Sequence, residues 1–488
     1  MIRAFAASPP RGCRWACLTI ALAGIGPAAL HAQDPKPGAP QPKAGAPQPK
    51  AGAPQAKGAP APAPATDPAA TAPGEPTKAA VAATAAEPRA KVEPPFVDPK
   101  AVPLLRNEFE PLFPRVAQAN AQQIERMAKQ RPDRAALKNF VQYEARVLTD
   151  RANLASLLDP DSNPAGADKI ETATNELLDP LLAGPTPEFR TAYTAELVAV
   201  APELLKNHLF ARTEAMLVLS KTADVQALDT FLGALADPDQ PAMVKLLAAT
   251  GISGLVAPGS ARGLTVAEAD RAARALADFL EKEPETFWMA KVRALEALGT
   301  LRRSADVASP ASATFATAAL RVLSDPEARP EVRAWAAWAL GMMEPPPAGP
   351  LNVGLIAHHA GRAAAELGEK IAGEPADQAT YLTSFLAFPL HQGLAGQENL
   401  RGSGLANAAG QGAAAGSVAQ ITRLVGQVAG AAVTYSRAVG NQRTATRSAL
   451  EAKVAELRAF LEKNAPKDDR LVPNGPAFPI AADQVADQ

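Results

Sequence analysis

The sequence predicts an all-α chain built as a stack of paired helices, and three observations predict it. One ten-residue helical pattern recurs four times, at 211–220, 244–253, 290–299 and 332–341. Its second residue is always basic (Arg212, Lys245, Lys291, Arg333) and its fifth is always alanine (Ala215, Ala248, Ala294, Ala336). Its ninth is always leucine or isoleucine (Leu219, Ile252, Leu298, Leu340). The starts at 211, 244, 290 and 332 are 33, 46 and 42 residues apart, a period that belongs to stacked helical units. From Val102 onward, finally, no segment sustains the period-two alternation of a half-buried strand.

Residues 1–32 read as a secretory signal peptide. Arg3, Arg11 and Arg14 make a basic start, 15–30 is free of charge and mostly apolar, and Leu30-His31-Ala32 ends on a small residue. The apolar run is short for a bilayer, which needs about 20 residues, and Pro27 interrupts it. Retention as an uncleaved anchor is the alternative. Both cysteines, Cys13 and Cys17, fall inside this segment. A cleaved chain would therefore hold no disulfide, zinc–thiolate site or thiol nucleophile. Its core must then be apolar packing alone, and about 370 residues suffice for one.

Residues 33–98 are predicted to be a disordered Pro/Ala/Lys-rich linker. A period-seven tandem runs from Gly38, again from Gly45 and in degenerate form from Gly52. Proline removes backbone donors and there are few large apolar side chains to bury. The expected state has polyproline II character, as a spacer or a passive tail. Lys36, Lys43, Lys50 and Lys57 are too widely spread to make a strong cationic patch.

Residues 99–400 are predicted to be the helical-repeat domain. Turn signals such as Gly184-Pro185, Asp237-Pro238, Glu283-Pro284 and Asp325-Pro326 cut the chain into helix-sized runs. An acidic residue followed by proline is expected to start the next helix, carboxylate at the positive end and proline where no donor is needed. In the best copy Pro330 opens a helix on which Val332, Trp335, Ala336, Ala339 and Leu340 share one face. The alanine at position five is explained by crowding where two helices cross. The basic residue at position two is expected at the edge of the packed face, reaching an acidic side chain or the last carbonyls of a neighbouring helix.

On these residues the chain resembles the HEAT-repeat family. The likeness rests on Asp325-Pro326, Pro330, Val332-Arg333 and the run from Ala336 to Gly341, and covers about 207–343. The resemblance implies an α-solenoid, a right-handed stack of antiparallel helix pairs with a concave binding surface. It implies no particular ligand, because family members are mostly scaffolds and adaptors.

Beyond Pro350 the ten-residue pattern stops. Helices are expected over 351–373 and 377–395, and a Gly/Ala-rich loop over 401–416. Val418, Ile421, Val425, Val428, Ala432, Tyr435 and Val439 then form a seven-residue apolar seam, continued by Leu450, Val454, Leu457 and Leu461. The reading is a C-terminal helical hairpin, 417–465, closed on itself, or two amphipathic helices capping the stack. The tail, 466–488, is expected to be flexible.

The net charge of −1, from 49 basic and 50 acidic side chains, gives no basic excess to attract nucleic acid. His358-His359 are adjacent and point about 100° apart on a helix, so they cannot face one metal together. One buried and one exposed histidine is expected. Gly402-Ser403-Gly404 lacks the strand, the lysine and the third glycine of a phosphate loop. No cofactor or metal is implied. Trp335 and Trp338, three apart, would make a recognition hot spot if both faced outward; the alternative puts them in the core. Trp338, Trp288, Arg333 and Lys291 are the candidate partner-contacting residues.

The function expected is that of a non-enzymatic scaffold, periplasmic or secreted, binding a protein partner along the inner curve of the stack. It would bind no nucleic acid and have no stable membrane insertion once the signal is cleaved. Two alternatives differ in class. One is an all-helical polysaccharide-processing enzyme, which would need convergent carboxylates and aromatic platforms that 5% aromatic residues supply poorly. The other is an envelope spacer tethered through an uncleaved signal.

Overall fold

The computed structural model describes residues 111–480, apart from 114–115, 119, 160–162, 164–165, 167, 258–259, 261–262 and 347–348. Cα proximity divides the chain between Ala85 and Ala86, and every described residue belongs to the second unit. The predicted signal peptide, the linker and the last eight residues of the tail lie outside the described residues. Those described are all-α, with no strand and only two isolated bridges.

The helices begin with α1 (Ala121–Met127), α2 (Arg134–Thr149), α3 (Arg151–Leu158), α4 (Lys169–Leu182) and α5 (Pro187–Leu204). The patterned region follows as α6 (Leu209–Ser220), α7 (Leu228–Ala236), α8 (Ala242–Val256), α9 (Val266–Lys282), α10 (Trp288–Leu301), α11 (Thr314–Ser324) and α12 (Pro330–Met342). Then come α13 (Val353–Gly373), α14 (Ala376–Phe385), a π-helical turn (Leu386–Leu390), α15 (His391–Ala395), α16 (Leu405–Ala409), α17 (Ala415–Arg437) and α18 (Gln442–Lys463).

Helix starts follow local chemistry. Asp133 caps α2 by accepting from the amides of Ala135 and Ala136, and Thr186 caps α5 ahead of Pro187. Thr265 and Glu268 form a reciprocal capping box on α9. The acidic–proline pairs behave otherwise than expected. Asp237 and Asp325 stand at the C-caps of α7 and α11, and their carboxylates accept from the amides of Asp239 and Glu327. They make side-chain-closed turns, and the next helix opens after Pro241 or at Pro330.

The four patterned helices are α6, α8, α10 and α12, and each packs on the next. α4 precedes them in this row and α15 follows. A second row, α5, α7, α9, α11 and α13, packs the same way, and cross-contacts α5–α6, α7–α8, α9–α10 and α11–α12 join the two. One continuous apolar core runs from Ile124 to Phe478. Position five is buried in every copy, as is position nine. The reason is contact distance. A Cβ on Gly299, at position ten of its copy, would lie 2.9 Å from the Cα of Ala339. Helices that approach so closely tolerate only small residues at the crossing. Replacing Ala336 with leucine should therefore overpack α12 and cost about 1–3 kcal/mol, read as a lower urea midpoint.

Position two divides: Lys245 and Arg333 lie deeper than the predicted edge, whereas Arg212 and Lys291 stay half-buried and reach loop carbonyls, those of Asn207 and Asp239 and that of Pro284. Lys245 is 1% exposed, with its ammonium paired to Glu283 and 5.9 Å from the Phe279 ring centroid. Arg333 is also buried; its Nε donates to the Leu323 carbonyl at 3.0 Å and its Nη1 pairs with Glu366. Both reach the second row, so the charge bridges rows rather than decorating a rim. Further ion pairs join successive helices of that row, Arg271–Asp229 between α9 and α7 and Arg321–Glu281 between α11 and α9.

Three expectations for the C-terminal part are corrected. The hairpin α17–α18 is not closed on itself: both helices also pack on α13. Its apolar seam is buried from Val418 to Tyr435, but Val439 lies beyond the helix and is exposed. The Gly/Ala-rich loop is folded. It carries α16, the amide of Gly404 donates to the Gly341 carbonyl at 2.6 Å, and Ser403 is wholly buried. Residues 466–480 of the tail are docked rather than flexible. Leu471, Val472 and Phe478 are buried, Asn352 donates to the carbonyls of Asp468, Arg470 and Leu471, and Arg362 donates to the Ile480 carbonyl at 3.1 Å. These apolar residues find their cover over one hundred residues upstream, on α13, which no local pattern announces.

Candidate partner-binding face

On α8 and α12 position two points into the second row, which fixes the orientation of those two helices, and the shared ten-residue register carries the same assignment to α6 and α10. At about 100° per residue, positions four, seven and eleven lie roughly 140–200° away from it. They form a stripe on the opposite side. On α6 the stripe holds Glu214 and Leu217; on α8, Leu247, Thr250 and Gly254; on α10, Arg293, Glu296 and Thr300; on α12, Trp335, Trp338 and Met342.

Its character changes along the row. At one end Glu214 is buried, and burial pushes its carboxyl up to about 7, against a bond with Thr174 of α4 and with Glu171 adding repulsion. On α8 the stripe is uncharged, and its Thr250 hydroxyl is satisfied by the Leu246 carbonyl. On α10, Arg293 and Glu296 form an ion pair and the Thr300 hydroxyl bonds the Glu296 carbonyl. At the far end Trp335 packs edge-on to Trp338 at 5.3 Å and to Phe388 of the π-helical turn at 6.1 Å. Thr250, Gly254, Arg293, Glu296 and Thr300 are half-buried, whereas Leu247, Trp335, Trp338 and Met342 are buried.

The four residues singled out in the sequence do not share one surface. Trp338 is 7% exposed and Arg333 5%, so neither presents a contact surface; the core alternative describes the tryptophans. Trp338 fills the space left by Gly299, where a Cβ would meet its ring at 2.5 Å. Trp288 and Lys291 lie half-buried on the first turn of α10. The Arg329 guanidinium sits 4.7 Å over the Trp288 ring, and the Lys291 ammonium reaches the Pro284 carbonyl. Burial lowers the Lys291 pKa. The chain's own groups occupy both.

Both histidines of the pair are buried, against the expected one-in, one-out arrangement. Their rings meet edge to face at 5.9 Å. Burial lowers both, His359 to about 3 with His358, Arg362 and Arg333 adding to the effect. Docking of the tail against α13 is what covers the side that the helix alone would leave to water. Among the described residues no three His, Cys, Asp or Glu side chains are grouped to hold a metal ion. No helix among them is long and apolar enough to cross a membrane.

One carboxylate pair does converge, Glu144 of α2 with Glu176 of α4. Glu144 is 2% exposed, and burial, then the charge and hydrogen bond of Glu176, raise it to about 8. The adjoining pocket is lined only by aliphatic side chains, among them Val141, Leu177, Leu197 and Val218. Stripe residues such as Thr250 and Glu296 escape sequence reasoning. The signal that finds them is the basic position two, once it is read as pointing inward. No family model, curated protein or solved structure matches the chain.

Proposed function

We propose that this chain is an exported, non-enzymatic helical-repeat scaffold, periplasmic or secreted, that binds a protein partner along the stripe on α8 and α10. In this reading the two rows of helices are an α-solenoid of the HEAT-like kind. The observation that carries it is the composition of α8. Its fifteen residues include one charged side chain, Lys245, and that one points into the second row. A helix facing water ordinarily sets charges on its outer face. Here the side away from the second row is Leu247, buried, with Thr250 and Gly254, half-buried, and its one hydroxyl is bonded to its own helix, which favours contact with another protein surface over solvation. The neighbouring Arg293–Glu296 pair gives the face one polar, orienting element.

The test is site-specific photocrosslinking in the producing cell. A photoreactive residue at position 250 or 300 should give the same discrete adduct, and one at the exposed Lys282 of α9 should give none. Thr250→Arg should abolish the adduct formed from position 300. Absence of any adduct from both stripe positions would remove the proposal.

A further inference from the structure

Buried carboxyls gather where α4 meets α2 and α6. Two carboxyls from different helices are buried there against α4: Glu144 from α2 and Glu214 from α6. One carboxyl oxygen of Glu144 is buried with no hydrogen-bond partner, and the side chain faces Glu176 of α4. Glu214 is hydrogen-bonded to Thr174 of α4, whose own hydroxyl donates to the Ile170 carbonyl at 3.0 Å, and it lies near Glu171 of the same helix. The other titratable and charged groups around the seam are Tyr143 and Arg146 of α2, Asp179 of α4, Tyr193 of α5, and His208 and Arg212 at the start of α6. No basic group enters among the interactions that set either buried carboxyl. Beneath α4 the same helices enclose the aliphatic pocket, with Val141 and Ala145 from α2, Leu177 from α4, Leu197 from α5, and Ala215 and Val218 from α6. The C-terminal end of α4 runs into Gly184, a left-handed residue (φ +69°) with open space around it, followed by Pro185.

We propose that α4 is a proton-held cover over this apolar pocket, seated while Glu144 and Glu214 are neutral and released about the Gly184 turn when they ionise. A neutral carboxyl can donate to its neighbour and lie in an apolar seam. Two ionised carboxyls on opposite sides of α4 would each sit stripped of water, and Glu144 would also face Glu176 of that helix, so ionisation on both sides favours its release. The direction with pH follows from the folded values being raised. Below the ordinary carboxyl value near 4.5 both states are protonated and the contribution to stability is full. As pH rises the open state gives up its protons first, so the contribution shrinks through the window up to about 7 for Glu214 and about 8 for Glu144, and is gone above it. The device therefore opens toward alkaline medium.

Hydrogen exchange of the full chain, corrected for the intrinsic rate, tests this at pH 6 and pH 9. Protection of 169–182 should fall by at least about tenfold at pH 9, while protection of 266–282 in α9 stays constant. The double variant Glu144→Gln, Glu214→Gln should keep α4 equally protected at both pH values. If that variant does not fold, Glu214→Gln alone should still shrink the change. Equal protection of α4 at pH 6 and 9 in the unaltered chain would overturn the proposal. So would a pH-dependent loss that survives in the glutamine variants.

Discussion

Replacing Gly341 with alanine is expected to destabilise the protein by about 3 kcal/mol, the upper end of what overpacking costs. The added methyl would collide with the carbonyl of Gly393 and approach its Cα to 2.7 Å. These atoms are backbone and no rotamer change can move them. The approach is mutual: a Cβ on Gly393 would itself stand 2.9 Å from the Cα of Trp338, so the two backbones meet directly. The two glycines are the contact through which α12 meets α15. The separation forced on them would also pull the Gly404 amide from the Gly341 carbonyl, which it now meets at 2.6 Å. Gly430→Ala supplies the contrast. Gly430 is exposed on α17, and a Cβ added there would have nothing within 4 Å of it. Helix propensity alone then acts, and the substitution should stabilise by up to about 1 kcal/mol. Urea unfolding of both variants gives the comparison; equal midpoints would mean that α12 and α15 are not in backbone contact.

Glu283→Ala should be nearly as costly, about 3 kcal/mol. It strands the Lys245 ammonium, on a side chain only 2% exposed in a wall of α8 and α9. Glu283 keeps 28% of its own exposure, so water can reach the vacated place and holds the figure at the low end for a broken buried pair. The companion variant Lys245→Met, Glu283→Gln removes the charge together with its partner. It should recover most of the loss, because an apolar side chain of similar length fills the channel without desolvating an ion. A double-mutant cycle by thermal or urea unfolding decides this. Recovery failing in the double variant would show that the pair contributes more than it costs to bury.

The repeating part of the fold is legible in the sequence because its causes are local. Ala215, Ala248, Ala294 and Ala336 are small because helices cross there, and Leu219, Ile252, Leu298 and Leu340 are large because they fill what lies between. Such constraints recur with the unit and show as a period. The fate of Lys245 is less legible, since a lone lysine in an apolar run gives no sign of a carboxylate 38 residues downstream. The same holds for the tryptophans: spacing puts Trp335 and Trp338 on one side of α12, but their cover comes from elsewhere, Phe388 of the π-helical turn against Trp335 and the Gly299 gap of α10 around Trp338. His358 and His359 depart from expectation for a related reason. Residues on both sides of a central helix can be covered once a distant segment lies over it. The candidate face is invisible as a motif. Thr250, Gly254 and Glu296 share no chemistry, and only the direction of position two collects them.

The docked tail carries a consequence for how the molecule reaches its final state. Each patterned helix meets partners a few dozen residues away, so the rows can assemble progressively as the polypeptide is delivered. The clasp on Asn352 differs: the carbonyls that accept from that side chain belong to Asp468 and Arg470, 116 and 118 residues later. Until that stretch is delivered, one side of α13 stays wet and His358 stands open. Completion of the C-terminal bundle is thereby tied to arrival of residues 466–480, so that a product cut short before residue 466 would carry an unsealed, adhesive flank.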